Sequence, residues 1–276
     1  MIVLQSSYPS TNEKLPVLPI NGQEVDILKL NPVAWVSANS GVETNGTAIS
    51  RVQDKTGKYQ WELASKSTSH PPRLITSGKR KALRFGTGVS NPGALKKVGN
   101  EFTFPADGIF TLFALIRVPL PKTEGYTGTG GNFCGNNAPE PDLVRFRMGA
   151  DDYTRNNIFY NHGNRTSAVE ENFPINTVAV SDFRDNLWHI SVMTAAADHH
   201  AWEFDGVLLQ QKAIGAKPFA TDESRRMIIG SADNPFNHSF MGDIAEIFVI
   251  PGVMTAQDKN KVYQYLNGLR ADLSAQ

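Results

Sequence analysis

Tyr126, Phe133, Asn136 and Asn137 crowd into one segment, 121–142, that has no regular apolar pattern. A second group follows at Tyr153, Asn156, Asn157, Tyr160, Asn161, His162 and Asn164, and a third at Asp233-Asn234-Pro235-Phe236-Asn237-His238. Planar amides and carboxylates hydrogen-bond the vicinal hydroxyls of a sugar, and an aromatic ring covers its apolar face, so this mixture suits glycan contact. Asn and Gly also populate turns because they tolerate positive φ, and Tyr packs on strands. Segment length separates the two: a structureless stretch of about 20 residues is usually functional or disordered. Segment 121–142 is therefore the first candidate contact surface. The contact residues drawn from the three groups are Tyr126, Phe133, Asn136, Asn137, Tyr153, Asn156, Tyr160, Asn234 and Phe236.

Other chemistries find less. The six histidines, His70, His162, His189, His199, His200 and His238, form no H-E-x-x-H or comparable ligand spacing. Asp198-His199-His200 reads as a solvated loop before a hairpin, so no metal is expected. Cys134 has no nucleophile signature around it, and no G-x-S-x-G is present. Gly128-Thr129-Gly130-Gly131 opens like a nucleotide fingerprint but lacks the final glycine and the strand-to-helix context. Lys79-Arg80-Lys81 is a short basic turn, not a phosphate site. No cofactor is expected.

Bulk composition narrows the class. Lys+Arg and Asp+Glu number 27 each in 276 residues, so no net field draws in nucleic acid or an acidic membrane. An apolar share of 40% is enough for a packed core. The 23 Gly and 16 Pro are scattered, which predicts many turns and short strands. One cysteine excludes an internal disulfide. Met1–Gln5 lacks the basic and apolar regions of a secretion signal, and no apolar run reaches membrane-spanning length.

The elements that must position these residues are mostly strands. Residues 1–28, with Pro9, Pro16 and Pro19, predict an extended arm in which Val17, Leu18, Pro19 and Ile20 form an apolar assembly patch; the folded domain is expected over 29–276. Phe110–Val118 reads as a core strand, and Trp188–Thr194 as a strand with Trp188, Ile190 and Val192 inward and His189 and Ser191 toward solvent. Asp205-Gly206 predicts a type I′ hairpin that pairs Phe204 with Val207 and Trp202 with Leu209. Thr255 caps a helix whose Val262, Leu266, Leu269 and Leu273 form one apolar stripe. Strands closed by a single helix predict an all-β sandwich.

Several of these pieces, in this order, resemble the concanavalin A-like lectin/glucanase superfamily, and within it the laminin-G-like jelly-roll domains of bacterial surface and bacteriophage proteins. They are Ala34-Trp35-Val36-Ser37-Ala38, Val52-Gln53-Asp54-Lys55-Thr56-Gly57, Ala82–Gly86, Phe110–Ala114, the span from Leu187-Trp188-His189 to Phe204-Asp205-Gly206-Val207-Leu208, and Phe240–Val249 with the helix 255–269. The resemblance covers about residues 29–270; Gln53, Asp205 and the arm depart from it. It implies a concanavalin A-like jelly-roll of two antiparallel sheets with one C-terminal helix.

Hydrolases of that superfamily carry E-x-D-x-E or E-x-D-x-x-E. Here Glu203-Phe204-Asp205 and Glu140-Pro141-Asp142 both lack the second glutamate, which leaves only an acid pair assembled from separate strands. A non-enzymatic role is expected. The resemblance, the arm and the absent secretion signal imply a virion structural protein, a bacteriophage capsid decoration or tail component assembled in the host cytoplasm. Its partners would be other virion proteins or further copies of itself as a homo-oligomer. The alternative is an extracellular lectin that binds a cell-surface glycan, and a glycoside hydrolase stands behind both.

Overall fold

The computed structural model describes residues 22–64, 70–86, 93–99, 103–118, 131–136, 144–148, 157–162, 171–174, 185–213, 216, 218–219, 225–231 and 240–275. In chain order these form α1 (Gly22–Lys29), β1 (Ala34–Ser37), β2 (Val42–Asn45), β3 (Ala48–Gln53), β4 (Gln60–Leu63), β5 (Arg73–Ser77), β6 (Arg80–Phe85), β7 (Leu95–Val98) and β8 (Phe110–Arg117). There follow β9 (Gly131–Asn136), β10 (Val144–Met148), β11 (Asn157–His162), β12 (Glu171–Pro174), β13 (Trp188–Ala195), β14 (His200–Phe204), β15 (Val207–Lys212), β16 (Met227–Ile229), β17 (Gly242–Pro251) and α2 (Ala256–Ser274).

The pairings make a jelly-roll sandwich of two antiparallel sheets. In one, β17 pairs with β8 along one edge and with β1 and β6 in tandem along the other; β8 leads on to β13, β14 and β15, and β6 to β5. The second runs β2-β3-β4-β7-β16-β9-β10-β11-β12. Among the described residues a single bridge, Ala48 opposite Arg73, ties the two together at one edge.

Strand alternation sends side chains into two separate cores. Phe110, Leu112, Ala114 and Ile116 of β8 point between the sheets, with Trp61, Phe133, Phe146 and Trp202. Phe113 and Leu115 point the other way, into a second cluster roofed by Val262, Leu266, Leu269 and Leu273 of α2 and by Ile27 of α1. The roof explains why β13 differs from expectation. Trp188, Ile190 and Val192 lie under α2, while the other parity faces the sandwich interior, where Ser191 Oγ accepts from Trp202 Nε1 at 2.8 Å. Every residue of β13 is buried, His189 included.

Two more expectations are corrected. The last part of the arm is α1: Gln23–Leu28 lies beyond the prolines, Glu24 and Lys29 suit the helix dipole, and Ile27 is fully buried. The Asp205-Gly206 turn is as expected, with φ of 50° and 82°, and Phe204 pairs with Val207. A bulge after Trp202 then moves its partner from Leu209 to Gln210. Thr255 caps α2 as expected, its Oγ1 accepting from Asp258 N at 3.1 Å.

Where α1, β1 and α2 meet, the second core buries charge. Glu246 of β17 is inaccessible, and its carboxylate accepts from Trp35 Nε1 at 2.7 Å and Ser37 Oγ at 2.6 Å. Tyr265 stands between it and Glu24, 3.4 Å from each carboxylate, and Lys55 pairs with Glu24 at 2.6 Å while lying over the Trp35 ring. Burial pushes Glu246 up to about 7, against the pull of Lys55, Ser37 and Trp35. Burial also raises Asp54, which accepts from Trp35 N, to about 6.

Candidate functional site

The buried stripe of α2 leaves a neighbouring stripe, Ala256, Asn260, Tyr263 and Asn267 at i, i+4, i+7 and i+11, at the edge of the helix. That edge overhangs the β14–β15 hairpin. Between them lies a groove of about 410 Å³, lined among others by Glu203, Asp205, Lys259, Asn260, Tyr263 and Asn267. Its size falls within the roughly 300–1,000 Å³ of small-molecule sites.

The charged groups and the phenol of the groove are each held by hydrogen bonds. Glu203 stands on β14 beside the bulge and opposite Leu208, turned toward α2. Lys259 Nζ donates to one of its oxygens and Tyr263 Oη to the other at 3.1 Å. Burial and the facing Glu203 raise the Tyr263 phenol, which keeps it a donor. Asp205 occupies the positive-φ turn position; its Oδ1 accepts from Ile190 N at 2.9 Å and Arg270 Nη1 at 2.6 Å. Its Oδ2 lies 2.7 Å from His189 Nδ1, and His189 Nε2 lies 2.9 Å from Asp185. Burial works against the charge on both partners, but the flanking carboxylates raise His189 and the imidazole, a backbone N–H and Arg270 lower Asp205. Asn267 Oδ1 accepts from Arg270 Nη2 at 2.7 Å, which fixes the orientation of its amide.

The arrangement offers amides and a phenol on the α2 wall and fixed carboxylate acceptors on the hairpin wall of a shallow groove. Both acids are engaged by cations. Among the described residues no three His, Cys, Asp or Glu side chains group as a metal site. His199 pairs with the neighbouring Asp198 at 2.7 Å and His200 is buried. Cys134 is buried and its thiol is pushed up by burial, away from nucleophilic use.

The residues expected to contact glycan fall elsewhere. Phe133 is inside the sandwich, its ring 6.2 Å from Phe146 and 6.3 Å from Phe240, because β9 is a central strand of its sheet. Asn136 is also fully buried on β9, opposite Met227. Neither belongs to a surface. The Tyr160 backbone pairs with Phe146 and Glu171 in the β10-β11-β12 ladder. Tyr126, Asn137, Tyr153, Asn156, Asn234 and Phe236 lie outside the described residues, as do Glu140 and the arm residues Val17, Leu18, Pro19 and Ile20. The groove was missed because its stripe on α2 reads as an ordinary solvated helix edge. The available signal was an aromatic between two asparagines at helical spacing, Asn260, Tyr263 and Asn267.

No family model and no curated protein matches this sequence. Solved structures do match in fold. The binding domain of Paraclostridial mosquitocidal protein 1 superposes with a TM-score of 0.58 at 12% identity, over 87% of this chain and 53% of that one. Domain 4 of an extracellular arabinanase from Geobacillus stearothermophilus, solved in complex with arabinotriose, gives 0.57 at 13%, over 83% and 97%. The binding domain of botulinum neurotoxin DC, in complex with rat synaptotagmin II, gives 0.57 at 13%, over 85% and 52%. The chain spans about half the length of the two toxin domains and nearly all of the arabinanase domain. At this identity the shared property is the β-sandwich.

Proposed function

We propose that this chain is a non-catalytic binding domain that attaches to carbohydrate through the groove between α2 and the β14–β15 hairpin. The observation that carries the reading is the convergence of Asn260, Asn267 and Tyr263 with carboxylates already held in place by cations. Such acceptors receive sugar hydroxyls without first losing mobility, which lowers the entropy cost of binding. The same ion pairing speaks against hydrolysis: Glu203 is engaged by Lys259 and Tyr263, and Asp205 by His189 and Arg270. A neighbour solved with arabinotriose and two neighbours that are toxin binding domains support attachment to a surface.

Calorimetric titration with arabinotriose and a panel of neutral oligosaccharides tests the reading. Binding should weaken about tenfold in Asn267→Ala and in Asn260→Ala, each a lost amide contact worth about 1.4 kcal/mol. Affinity unchanged in both variants would refute the groove, and oligosaccharide release abolished by Glu203→Gln would refute the absence of catalysis.

The narrower role of virion component, attached to a capsid or tail or to further copies through Val17–Ile20, rests on the sequence resemblance and the arm. Loss of particle attachment on removal of residues 1–21 is its test.

A further inference from the structure

A second cleft, of about 630 Å³, opens at the other end of α2, between the Thr76–Gly78 turn, the helix terminus at Leu273–Ala275 and residues 186–188. Its walls are tied together by hydrogen bonds. Ser77 Oγ donates to the Leu273 carbonyl at 3.0 Å, Lys79 N donates to the Asp272 carbonyl at 2.9 Å, and Arg80 pairs with the Asp272 carboxylate at 2.7 Å. On the sheet side, Arg84 and Arg117 converge on the buried carboxylate of Asp243.

Arg117 donates to Asp243 through Nε at 2.8 Å and Nη2 at 2.5 Å, and its guanidinium lies 5.4 Å from the Trp188 ring centroid. The group is thereby held in one plane. Nη1 has no acceptor among the described residues, and the side chain, 15% exposed, lines the cleft. Opposite polarity comes from Asn186. It sits at φ 65° with its backbone N–H on the Val118 carbonyl, and its buried Oδ1 receives no hydrogen bond among the described residues. A buried acceptor left open is destabilising until something meets it. The cleft is thus lined by an oriented cationic donor and by a residue whose own acceptor is buried and unmet.

A ligand that satisfies both carries an anionic acceptor beside a hydroxyl donor. The terminal carbonyls of α2 disfavour a bare anion and favour further hydroxyls. We propose that this cleft binds the carboxylated unit of an acidic saccharide, with the carboxylate on Arg117 and a neighbouring hydroxyl at the Asn186 amide, whose Oδ1 turns outward to accept it. The site is separate from the neutral groove but rests on the same reading of the chain as a carbohydrate-binding domain.

Calorimetric titration of the intact chain with trigalacturonate and with 3′-sialyllactose distinguishes the two common sources of such a carboxylate; lactose and inorganic phosphate are controls. Asn186→Asp and Asn186→Gly both keep the positive φ, so the fold survives. At least one acidic probe should bind, weaken with added salt, lose tenfold or more in Asn186→Asp and lose severalfold in Asn186→Gly. Lactose and phosphate should not compete for the cleft. No binding of either acidic probe, equal affinity in Asn186→Asp, or equal competition by phosphate would overturn the inference. Arabinotriose binding measured alongside separates the two failures: if it persists while the acidic probes fail, only this cleft is refuted, and if it also fails, the groove falls with it.

Discussion

Replacing Glu246 by Gln should flatten the pH dependence of stability. Gln keeps the shape of the carboxyl, accepts from Trp35 Nε1 and can donate to Ser37 Oγ, whose hydroxyl also accepts. In the folded chain the acid is held at about 7 rather than the ordinary 4.5, because burial penalises its charge. The folded state therefore binds this proton more tightly than the unfolded state. Its stabilising contribution is complete below 4.5 and is lost as pH rises through about 7. At 1.36 kcal/mol per pH unit, the gap between 4.5 and about 7 corresponds to about 3 kcal/mol. Raised Asp54 and raised His189 slope in the same direction, but they are present in both proteins and cancel in the difference. Urea unfolding of the wild type and Glu246→Gln from pH 4 to pH 8 isolates the effect. The variant should match the wild type near pH 4 and exceed it by about 3 kcal/mol near pH 8. Parallel curves at all pH values would refute the claim that a buried, charge-strained carboxylate sits under α2.

Leu266→Ala should cost about 2–5 kcal/mol, as a truncation in the roof of the second core, read from the shift in denaturation midpoint. Gly78→Ala should lose more than Gly46→Ala. Both glycines have positive φ, but a Cβ at Gly78 collides with the terminal carbonyls of α2 whereas one at Gly46 meets open space; equal losses in thermal melting would mean that the helix end is not docked there. Removing residues 1–29 should cost at least about 2 kcal/mol more than removing 1–21, since only the longer cut takes away buried Ile27. Equal unfolding curves for the two truncations would refute the packing of α1.

What the sequence made legible was local. The Asp205-Gly206 turn, the Thr255 cap and the apolar parity of Phe110–Ile116 each depend on neighbours a few residues away, and each is found as expected. Helix α1 was hidden because only Ile27 of its eight residues is buried, so its apolar periodicity is weak. The second buried face of β13 was hidden for another reason: nothing within Trp188–Ala195 says that a helix some 70 residues later covers one side while the other turns inward. Polar His189 and Ser191 tolerate the interior because Asp185, Asp205 and Trp202 hydrogen-bond them. The groove shares this long-range origin, since Glu203 meets Lys259 and Tyr263 only after the sandwich has closed. Glycan chemistry sought along contiguous stretches found Phe133 and Asn136, whose types fit a sugar but whose central strand buries them.

The place of β17 has a kinetic consequence. This strand holds the middle of its sheet, against β8 on one side and β1 and β6 on the other, yet its residues 242–251 follow all of theirs in the chain. A ribosome making the chain releases β1, β6 and β8 well before their common partner exists. Until then three strands with apolar faces wait with open edges, in a topology whose distant pairings already favour slow folding. During synthesis the gap can close only once β17 has emerged, and α2, next in sequence, then covers the face behind it. A stall in synthesis just before residue 242 therefore leaves the chain at its most aggregation-prone, and a holding chaperone would find its binding surface there.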